Sequence, residues 1–373
     1  MNEDCLKLTA YFAERDRSGG AFLGDALLSI CERHGLATSV LLRGAEGFGR
    51  HQVLQTDRLL SLSEDLPMVL AAVDARSRIE AALPEIGAAA GHGLITLERA
   101  RLLSGRVGPV TLPEDLHEAT KLTVYCGRHE RVGRRPAFIA IVDLLRRRGL
   151  HSATVLLGVD GTAHGVRERA RFFAANAQVP LMIIAVGPGT ELSPVLPEVA
   201  GLLDRPLLTL ERVRICKVDG ERLAGPHVSR GTDDEGLKTW VKLMVHADHD
   251  TLHAGRPLFF EIVRRLRAAG AGGATVLHGI WGYHGDRPPQ GDRLLSLRRH
   301  VPATTIVVDT PERIGAWFEI IDELTDQGGV VTSELVPAFH ARGEWGEAGG
   351  LALAERSPVG GGGGGQPPPE VGP

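Results

Sequence analysis

The sequence has few aromatic residues and few cysteines, and it has no long apolar run. Aromatic side chains make up 5% of its 373 residues, so its cores must be aliphatic. The four cysteines are scattered without CxxC spacing, which is typical of reduced thiols inside a cell. No apolar stretch approaches the roughly 18–20 residues that cross a bilayer, and the acidic N-terminus does not resemble a signal peptide. These absences predict a cytoplasmic protein.

The chain also lacks a strong charge of either sign and the common catalytic motifs. It has 42 basic and 46 acidic residues, whereas nucleic-acid and membrane-surface binders carry strongly basic domains. The patterns GxSxG, HExxH, Walker A and a strand-linked GxGxxG are missing, and no Ser, His and Asp set stands out. We therefore expect no nucleic-acid partner and no enzyme activity, and any anion site must be local.

What the chain does contain is a threefold internal repeat with a period of roughly 115–120 residues. Three segments align without insertion from a lysine to a glycine 28 residues later: Lys7 to Gly35, Lys121 to Gly149, and Lys242 to Gly270. Glycine pairs then fall at equal offsets: Gly44 and Gly47, Gly158 and Gly161, and Gly279 and Gly282. Three copies in one register establish tandem repeats.

The patterns within one copy predict two helices and four strands. Leu6, Leu8 and Ala10 alternate with polar residues, which is typical of a half-buried strand. A segment with apolar residues at helical spacing follows, and Gly149 lies where a glycine ends a helix in the second copy. Two more strands, an Ala-rich helix over about residues 75–90 and a final strand complete the order βαββαβ. This predicts an α+β chain of three ferredoxin-like units.

The boundaries follow from changes in composition. Repeats are expected over residues 1–105, 120–216 and 237–341, with linkers rich in Gly, Pro and charge over 106–119 and 217–236. Residues 342–373 are rich in Gly and Pro and lack apolar content, so a disordered tail is expected there.

The repeated pattern of a GRPL-like start, ATVL.G..G, LPE and GL.TLE resembles the uncharacterised PII-like protein family, a domain of unknown function often found near fluoride-exporter genes. Proteins of the PII type form trimers, bind effectors in clefts between neighbours and meet partners through a loop after the second strand. The resemblance therefore implies an intrachain pseudo-trimer in which each bare sheet face is covered by the other two, and hence a monomeric chain. The alternative is three independent units that assemble between chains.

The resemblance also implies effector-binding residues at the base of these loops. In the first copy they are Gly44, Gly47, Phe48, Gly49, Arg50 and His51; in the third they are Gly279, Gly282, His284 and Arg287. Glycine lets a backbone approach a phosphate closely, and arginine can bind it with two hydrogen bonds. The other interpretation is an ordinary turn between a strand and a loop.

A second candidate segment, GHGL, contains Gly91 and Gly93, and its counterpart in the third copy contains Gly328. Nucleotide-binding PII proteins carry a similar Gly-x-Gly followed by a lysine, but Leu94 occupies that position here. The three clefts are expected to be unequal, with the first copy's loop and GHGL segment the best equipped. A helix-ending turn is the structural alternative for this segment.

The densest cluster of metal-ligand residues is HADHDTLH, with His246, His249 and His253. Imidazole and carboxylate suit zinc or copper, but a solvated loop is the simpler interpretation and no metal is predicted.

The favoured function is a regulatory sensor that binds a small anionic effector, with an adenine nucleotide as one candidate, and signals through its loops to a protein partner. A ligand-free adaptor, for instance to an ion transporter in the membrane, and a divalent-metal-handling protein are the alternatives. Neither the effector nor the partner follows from the sequence.

Overall fold

The computed structural model of the protein describes residues 3–49, 52–56, 65–91, 93–112, 119–167, 179–227, 239–285, 287–291, 301–343, 346–351 and 353. The chain has mixed α/β content with antiparallel sheets. Each of its three repeats runs strand, helix, strand, strand, helix, strand, with short additional strands between them. No helix among the described residues has the length and hydropathy that a membrane span requires.

The first repeat contains four long strands and two helices. Its elements are β1 (Glu3–Ala13), β2 (Arg17–Ser18), β3 (Ala21–Phe22), α1 (Leu23–Arg33), β4 (Thr38–Arg43), β5 (Glu46–Phe48), β6 (Gln55–Thr56), β7 (Pro67–Ala75), α2 (Arg76–Ala89) and β8 (Gly93–Ser104). Two residues after the end of helix α1, Gly35 adopts a φ of 60° that an L side chain rarely takes, and this turns the chain out of the helix. Gly149 and Gly270 end the corresponding helices with φ values of 84° and 82°, so the predicted helix ends are correct.

The second repeat follows the same course with a broken second helix. Its elements are β9 (Thr120–Gly127), β10 (Arg131–Val132), β11 (Arg135–Pro136), α3 (Ala137–Arg147), β12 (Ser152–Leu157), β13 (Asp160–Ala163), β14 (Val166–Arg167), β15 (Pro180–Gly187), α4 (Gly189–Leu192), α5 (Leu196–Gly201) and β16 (Leu207–Arg212). A 3₁₀ turn separates α4 from α5. Pro194 lies in that turn and lacks the backbone N–H that a continuous helix would require, which explains the break. Pro197 corresponds to Pro84, which the continuous α2 accommodates.

The third repeat is preceded by a hairpin and followed by another. The elements are β17 (Arg214–Val218), β18 (Glu221–Arg222), β19 (Trp240–Asp248), β20 (Leu252–His253), β21 (Arg256–Pro257), α6 (Leu258–Ala268), β22 (Ala274–His278), β23 (Trp281–His284), β24 (Gln290–Gly291), β25 (Pro302–Asp309), α7 (Pro311–Leu324), β26 (Val330–Val336), β27 (Ala338–Gly343) and β28 (Gly346–Gly350). The structure differs from the expected boundaries at both hairpins. β17, which pairs with β26, begins in the predicted second repeat and continues into the predicted second linker. β27 pairs with β8, and β28, which pairs with β27, lies inside the predicted tail. The tail beyond residue 353 lies outside the described residues.

The four long strands have the same spatial order in every repeat: second, third, first, fourth. These orders are β4-β7-β1-β8, β12-β15-β9-β16 and β22-β25-β19-β26, all antiparallel. β8 also pairs with β16, so the first two repeats share one sheet.

The helices cover one face of each sheet, and the other face lies against the neighbouring repeats. In the first repeat Leu27 and Ile79 pack with Leu6 and Leu8 in one core. Alternate residues of the same sheet, including Val69, belong to a core shared by all three repeats, whose other members include Met182 and Met244. These cores are mainly aliphatic, as the composition predicts. The four cysteines are buried thiols that do not form disulfides.

The segment after the second long strand of each repeat crosses to the sheet of another repeat. β13 pairs with β4, β23 pairs with β12, and β5 pairs with β22. We call these contacts the 1–2, 2–3 and 3–1 junctions after the repeats that they join. They run in one direction, from the second repeat to the first, from the third to the second and from the first to the third.

Candidate functional site

Six buried charged side chains alternate in sign where the three repeats meet. Every repeat contributes a lysine from its first strand and the glutamate opposite it on its last strand: Lys7 and Glu98, Lys121 and Glu211, and Lys242 and Glu334. Each lysine also contacts the glutamate of a neighbouring repeat, with N–O distances of 3.2 Å, 2.5 Å and 3.2 Å for Lys7–Glu211, Lys121–Glu334 and Lys242–Glu98. At most 6% of any of these side chains is exposed. We call this set the axial ring.

The ring is electrically balanced because it contains three ammonium and three carboxylate groups. Burial acts to raise the pKa of Glu211, but Lys121 and Lys7 outweigh it and hold that pKa below the ordinary value of 4.5. Burial likewise acts to lower the pKa of Lys7, and Glu211 outweighs it and raises the pKa above 10.5. These charges pair across the boundaries between repeats, so the axial ring joins the repeats to one another.

The sequence carried a signal for this ring. Lysine and glutamate each recur in all three copies at aligned positions, in KLT or KLM and in TLE or TSE. Alternation along β1 alone placed Lys7 on the polar side of a half-buried strand. Both faces of that strand are buried in the assembled chain, and Lys7 is only 5% exposed.

A cavity of about 590 Å³ lies at the 1–2 junction. Its lining includes Arg106 in the first linker, His164 after β13, and Arg205 just before β16. Neither guanidinium has a side-chain partner among the described residues, whereas Asp204 supplies one carboxylate to the same lining. Burial and the neighbouring Arg205 lower the pKa of His164. The volume is in the range of small-molecule sites, and the two unpaired guanidinium groups suit an anion.

A different set of side chains lies at the 2–3 junction, where two histidines contact one aspartate. His151 precedes β12, His284 ends β23, and Asp219 lies in the turn between β17 and β18. Nε2 of His151 is 3.0 Å from Oδ2 of Asp219, and Nε2 of His284 is 2.7 Å from Oδ1. One ligand atom from each of the three residues lies within 4.8 Å of the others. We call these three residues the histidine–aspartate cluster.

The electrostatics of this cluster depend on its hydrogen bonds. A hydrogen bond with His284 is the main cause that lowers the pKa of Asp219 to about 2, against the opposing effect of burial. The backbone N–H of Gly329 donates to Oδ1 of Asp219 at 3.3 Å, and its nitrogen lies 3.2 Å from Nε2 of His284. Nδ1 of His284 is buried and has no hydrogen-bond partner among the described residues. Nε2 of His284 therefore faces the carboxylate of Asp219 from inside the cluster.

The 1–2 and 2–3 junctions share a backbone geometry, but the junctions differ in these side chains. His164 N donates to Ala37 O at the 1–2 junction, and Gly285 N donates to His151 O at the 2–3 junction, both at 2.8 Å. By the alignment of the repeats, Ala37 and Gly272 replace His151, while Gly49 and Ala163 replace His284. Only the 2–3 junction therefore brings two histidines together at these aligned positions.

The predicted glycines at the loop bases lie at the junctions themselves. A Cβ atom at Gly47 would be 2.5 Å from the carbonyl oxygen of Ala274, and one at Gly44 would be 3.2 Å from that of Val276, both in the third repeat. A Cβ atom at Gly282 would overlap the carbonyl oxygen of Ala153 in the second repeat, and one at Gly279 would be 3.2 Å from that of Val155. Close packing between repeats thus accounts for these four glycines, and their predicted effector contact remains a prediction.

The other predicted residues are separated. Phe48 is buried in the third repeat's core, at 3% exposed, whereas Gly49 is open to solvent. Gly93 has a φ of 142° and packs against the backbone of Tyr11, with Gly91 two residues before it. Arg50 and His51 lie outside the described residues.

The third copy's predicted residues come closer together. Gly328 is near Asp219 and joins His284 at the histidine–aspartate cluster. Arg287 instead forms an ion pair with Asp248 at 2.9 Å. The sequence did not single out His151 or Asp219, which come from different parts of the chain. A comparison of the aligned repeats could have found His151, because small residues replace it in the other two copies.

The three histidines of the HADHDTLH segment do not come together as metal ligands. His246 is buried beside Thr304, His249 packs on Phe259, and His253 lies near Asp326. His246 lies in β19, His249 follows the end of that strand and His253 lies in β20, which explains the separation. Within the described part of the chain, the group suited to a metal is the histidine–aspartate cluster.

Comparison with known proteins finds the same threefold division. The model of the DUF190 family, described as an uncharacterized ACR, matches residues 5–102, 119–215 and 240–338. The chain is also similar to the UPF0166 protein of Aquifex aeolicus (strain VF5), with 30% identity over 98 residues. That match covers 26% of this chain and 91% of the relative, so the relative has about the length of one repeat.

Proposed function

We propose that this chain, which belongs to the DUF190 family through all three of its repeats, is a PII-like sensor whose three ferredoxin-like units form an intrachain pseudo-trimer. The common strand order, the one-directional junctions and the axial ring support this arrangement. A relative of one repeat's length supports the idea that the chain joins what separate subunits supply elsewhere. Light scattering in solution tests the arrangement: the mass of one chain is expected, and a trimer of chains would refute it.

The effector is a small anion, and the observation that carries this proposal is the cavity at the 1–2 junction. Arg106 approaches it from the first linker and Arg205 from the second repeat, without partners of their own among the described residues. Arginine binds phosphate oxygens through paired hydrogen bonds, so a phosphate ester would bridge the linker and the second repeat. An adenine nucleotide is the first candidate, because Arg205 lies in the segment that corresponds to Gly91–Gly93 of the first repeat.

The same junction provides a route from the effector to a protein partner. His164 lines the cavity and is followed by β14, where Arg167 forms ion pairs with Asp160 at 2.7 Å and with Asp25 of the first repeat at 2.6 Å. Val166 in this segment is 58% exposed, so its apolar side chain is accessible to a partner. An effector that draws the two repeats together would reposition this segment and change its affinity for the partner.

A thermal-shift and calorimetric screen with adenine nucleotides and cyclic dinucleotides tests the effector. We expect a binding nucleotide to raise the melting temperature of the full chain, since a ligand that binds only the folded state stabilises it. Arg205→Ala and Arg106→Ala are each expected to weaken binding by at least about tenfold, because a charged hydrogen bond contributes about 1.5–3 kcal/mol.

Arg134→Ala is the matched control, because it removes the same charge from an exposed hairpin of the second repeat. If no nucleotide binds, or if the control weakens binding as much as Arg205→Ala does, the nucleotide sensor is wrong. A pull-down that depends on the loops without any ligand would then favour the adaptor.

A further inference from the structure

The histidine–aspartate cluster at the 2–3 junction has the composition of a metal site. It offers two imidazole nitrogens and one carboxylate oxygen, all within 4.8 Å of one another. These donors suit zinc and other divalent ions of the late first transition row, whereas Ca²⁺ and Mg²⁺ prefer oxygen ligands only. Zn–N and Zn–O distances are about 2.0–2.2 Å, so tetrahedral ligand atoms lie about 3.4 Å apart. Small rotations of the side chains would bring the three donors to that spacing.

The imidazole of His284 can also exchange a proton for a metal ion. Its Nε2 lies 2.7 Å from Oδ1 of Asp219, a hydrogen bond in which the nitrogen donates to the carboxylate. Metal ligands must be deprotonated, so an ion would take the place of that proton between the nitrogen and the carboxylate. Nδ1 of His284, buried and without a hydrogen-bond partner among the described residues, would carry the ring proton.

We propose that His151, Asp219 and His284 bind one divalent transition-metal ion of the zinc type, with a coordination position left open to solvent. His151 and Asp219 are 38% and 46% exposed in their side chains, so an ion and a water molecule can reach the cluster. Three protein ligands with an open fourth position are typical of zinc sites that exchange a ligand. The ion would join the second repeat, the second linker and the third repeat. This inference does not depend on the effector proposal, which concerns another junction.

The proposal can be tested by zinc titration of the full chain. Bound metal is first removed with a chelator, and zinc is then added in competition with a second, chromophoric chelator. One high-affinity zinc ion per chain is expected. His151→Ala, Asp219→Ala and His284→Ala should each weaken that site by at least about tenfold, since loss of an outer-shell partner alone costs about 10–100-fold. His129→Ala and His253→Ala, which remove histidines outside the cluster, should leave it unchanged.

Two measurements distinguish the removal of a metal-binding side chain from unfolding of the variant. The circular dichroism and the melting temperature of each variant, measured in chelator, should match those of the metal-free parent. X-ray absorption at the zinc edge of the loaded parent chain should show two imidazole nitrogens. The proposal would be overturned by a sulfur ligand, by an imidazole count other than two, or by a number of zinc ions per chain other than one. Unchanged zinc affinity in both His151→Ala and His284→Ala would also overturn it.

Discussion

Replacing Lys121 by methionine should destabilise the whole chain, because this side chain joins two repeats inside the axial ring. Its ammonium group is fully buried and lies 2.6 Å from Glu211 and 2.5 Å from Glu334. Methionine has a similar length and fills most of the same volume. The substitution therefore removes the charge while it largely preserves the packing, and two carboxylates are left with one lysine fewer.

The expected loss is about 3–5 kcal/mol in the free energy of unfolding, the usual cost of removing one partner of a buried ion pair. Although Lys121 contacts two glutamates, the loss should not be twice this value, because each glutamate keeps a second lysine. Lys7 lies 3.2 Å from Glu211, and Lys242 lies 2.9 Å from Glu334. Adding Glu334→Gln to Lys121→Met restores equal numbers of positive and negative groups. The double variant should then lose at least about 1 kcal/mol less than the sum of the single variants, since residues in contact couple by about 0.5–3 kcal/mol.

Urea unfolding followed by circular dichroism measures these differences without changing the ionic strength. One cooperative transition is expected, because the junctions and the ring tie the three repeats together. Arg134→Met serves as the surface control and should stay within about 0.5 kcal/mol of the parent. A loss below about 1 kcal/mol for Lys121→Met, or strict additivity in the double variant, would refute the interpretation of the ring as a coupled network.

Two further predictions concern the junctions and the buried histidine. Gly161→Ala should destabilise the chain by about 1–3 kcal/mol in urea unfolding, because its Cβ would overlap the carbonyl oxygen of Ser39 and the ring of Pro180. Gly315→Ala in α7, which meets no atom within 4 Å, should instead stabilise it by about 0.5–1 kcal/mol, and equal effects of the two would contradict the close packing. Burial and Lys121 lower the pKa of His246 from 6.5 to about 4, so the stability present above pH 6.5 is lost as the pH falls toward 4. This loss should reach about 3 kcal/mol and should disappear in His246→Leu but persist in His129→Leu; a pH dependence that His246→Leu leaves unchanged would show that another group is responsible.

Much of one repeat could be predicted from the sequence because its determinants are local. Alternating apolar residues and apolar residues at helical spacing locate β1 and α3, and Gly149 ends α3 with a positive φ. The broken helix of the second repeat follows from Pro194, yet alignment to the Ala-rich α2, which accommodates Pro84, favoured a continuous helix. Periodicity thus indicates where an element lies, whereas backbone chemistry decides whether it is continuous.

The contacts between repeats could not be predicted in the same way, because they depend on three segments that meet only after folding. The loop-base glycines were interpreted as a ligand cradle, and Gly47 is in fact pressed against the backbone of the third repeat. Asp219 belongs to a segment interpreted as a linker, although it lies between His151 and His284. A single sequence aligns His151 with Ala37, but only the fold places it opposite a histidine of another repeat.

Joining three units in one chain changes which parts of the assembly can diverge. Separate identical subunits would present the same side chains at every junction. A trimer of such subunits could not place arginines at one junction and a histidine–aspartate cluster at another. Here Arg106 and Arg205 lie at the 1–2 junction, and His151 and His284 lie at the 2–3 junction. The axial ring has kept one lysine and one glutamate in each repeat, because loss of any one charge would leave a buried partner unbalanced. Exposed junction positions carry no such constraint, which explains why the repeats agree at their axis and differ at their clefts.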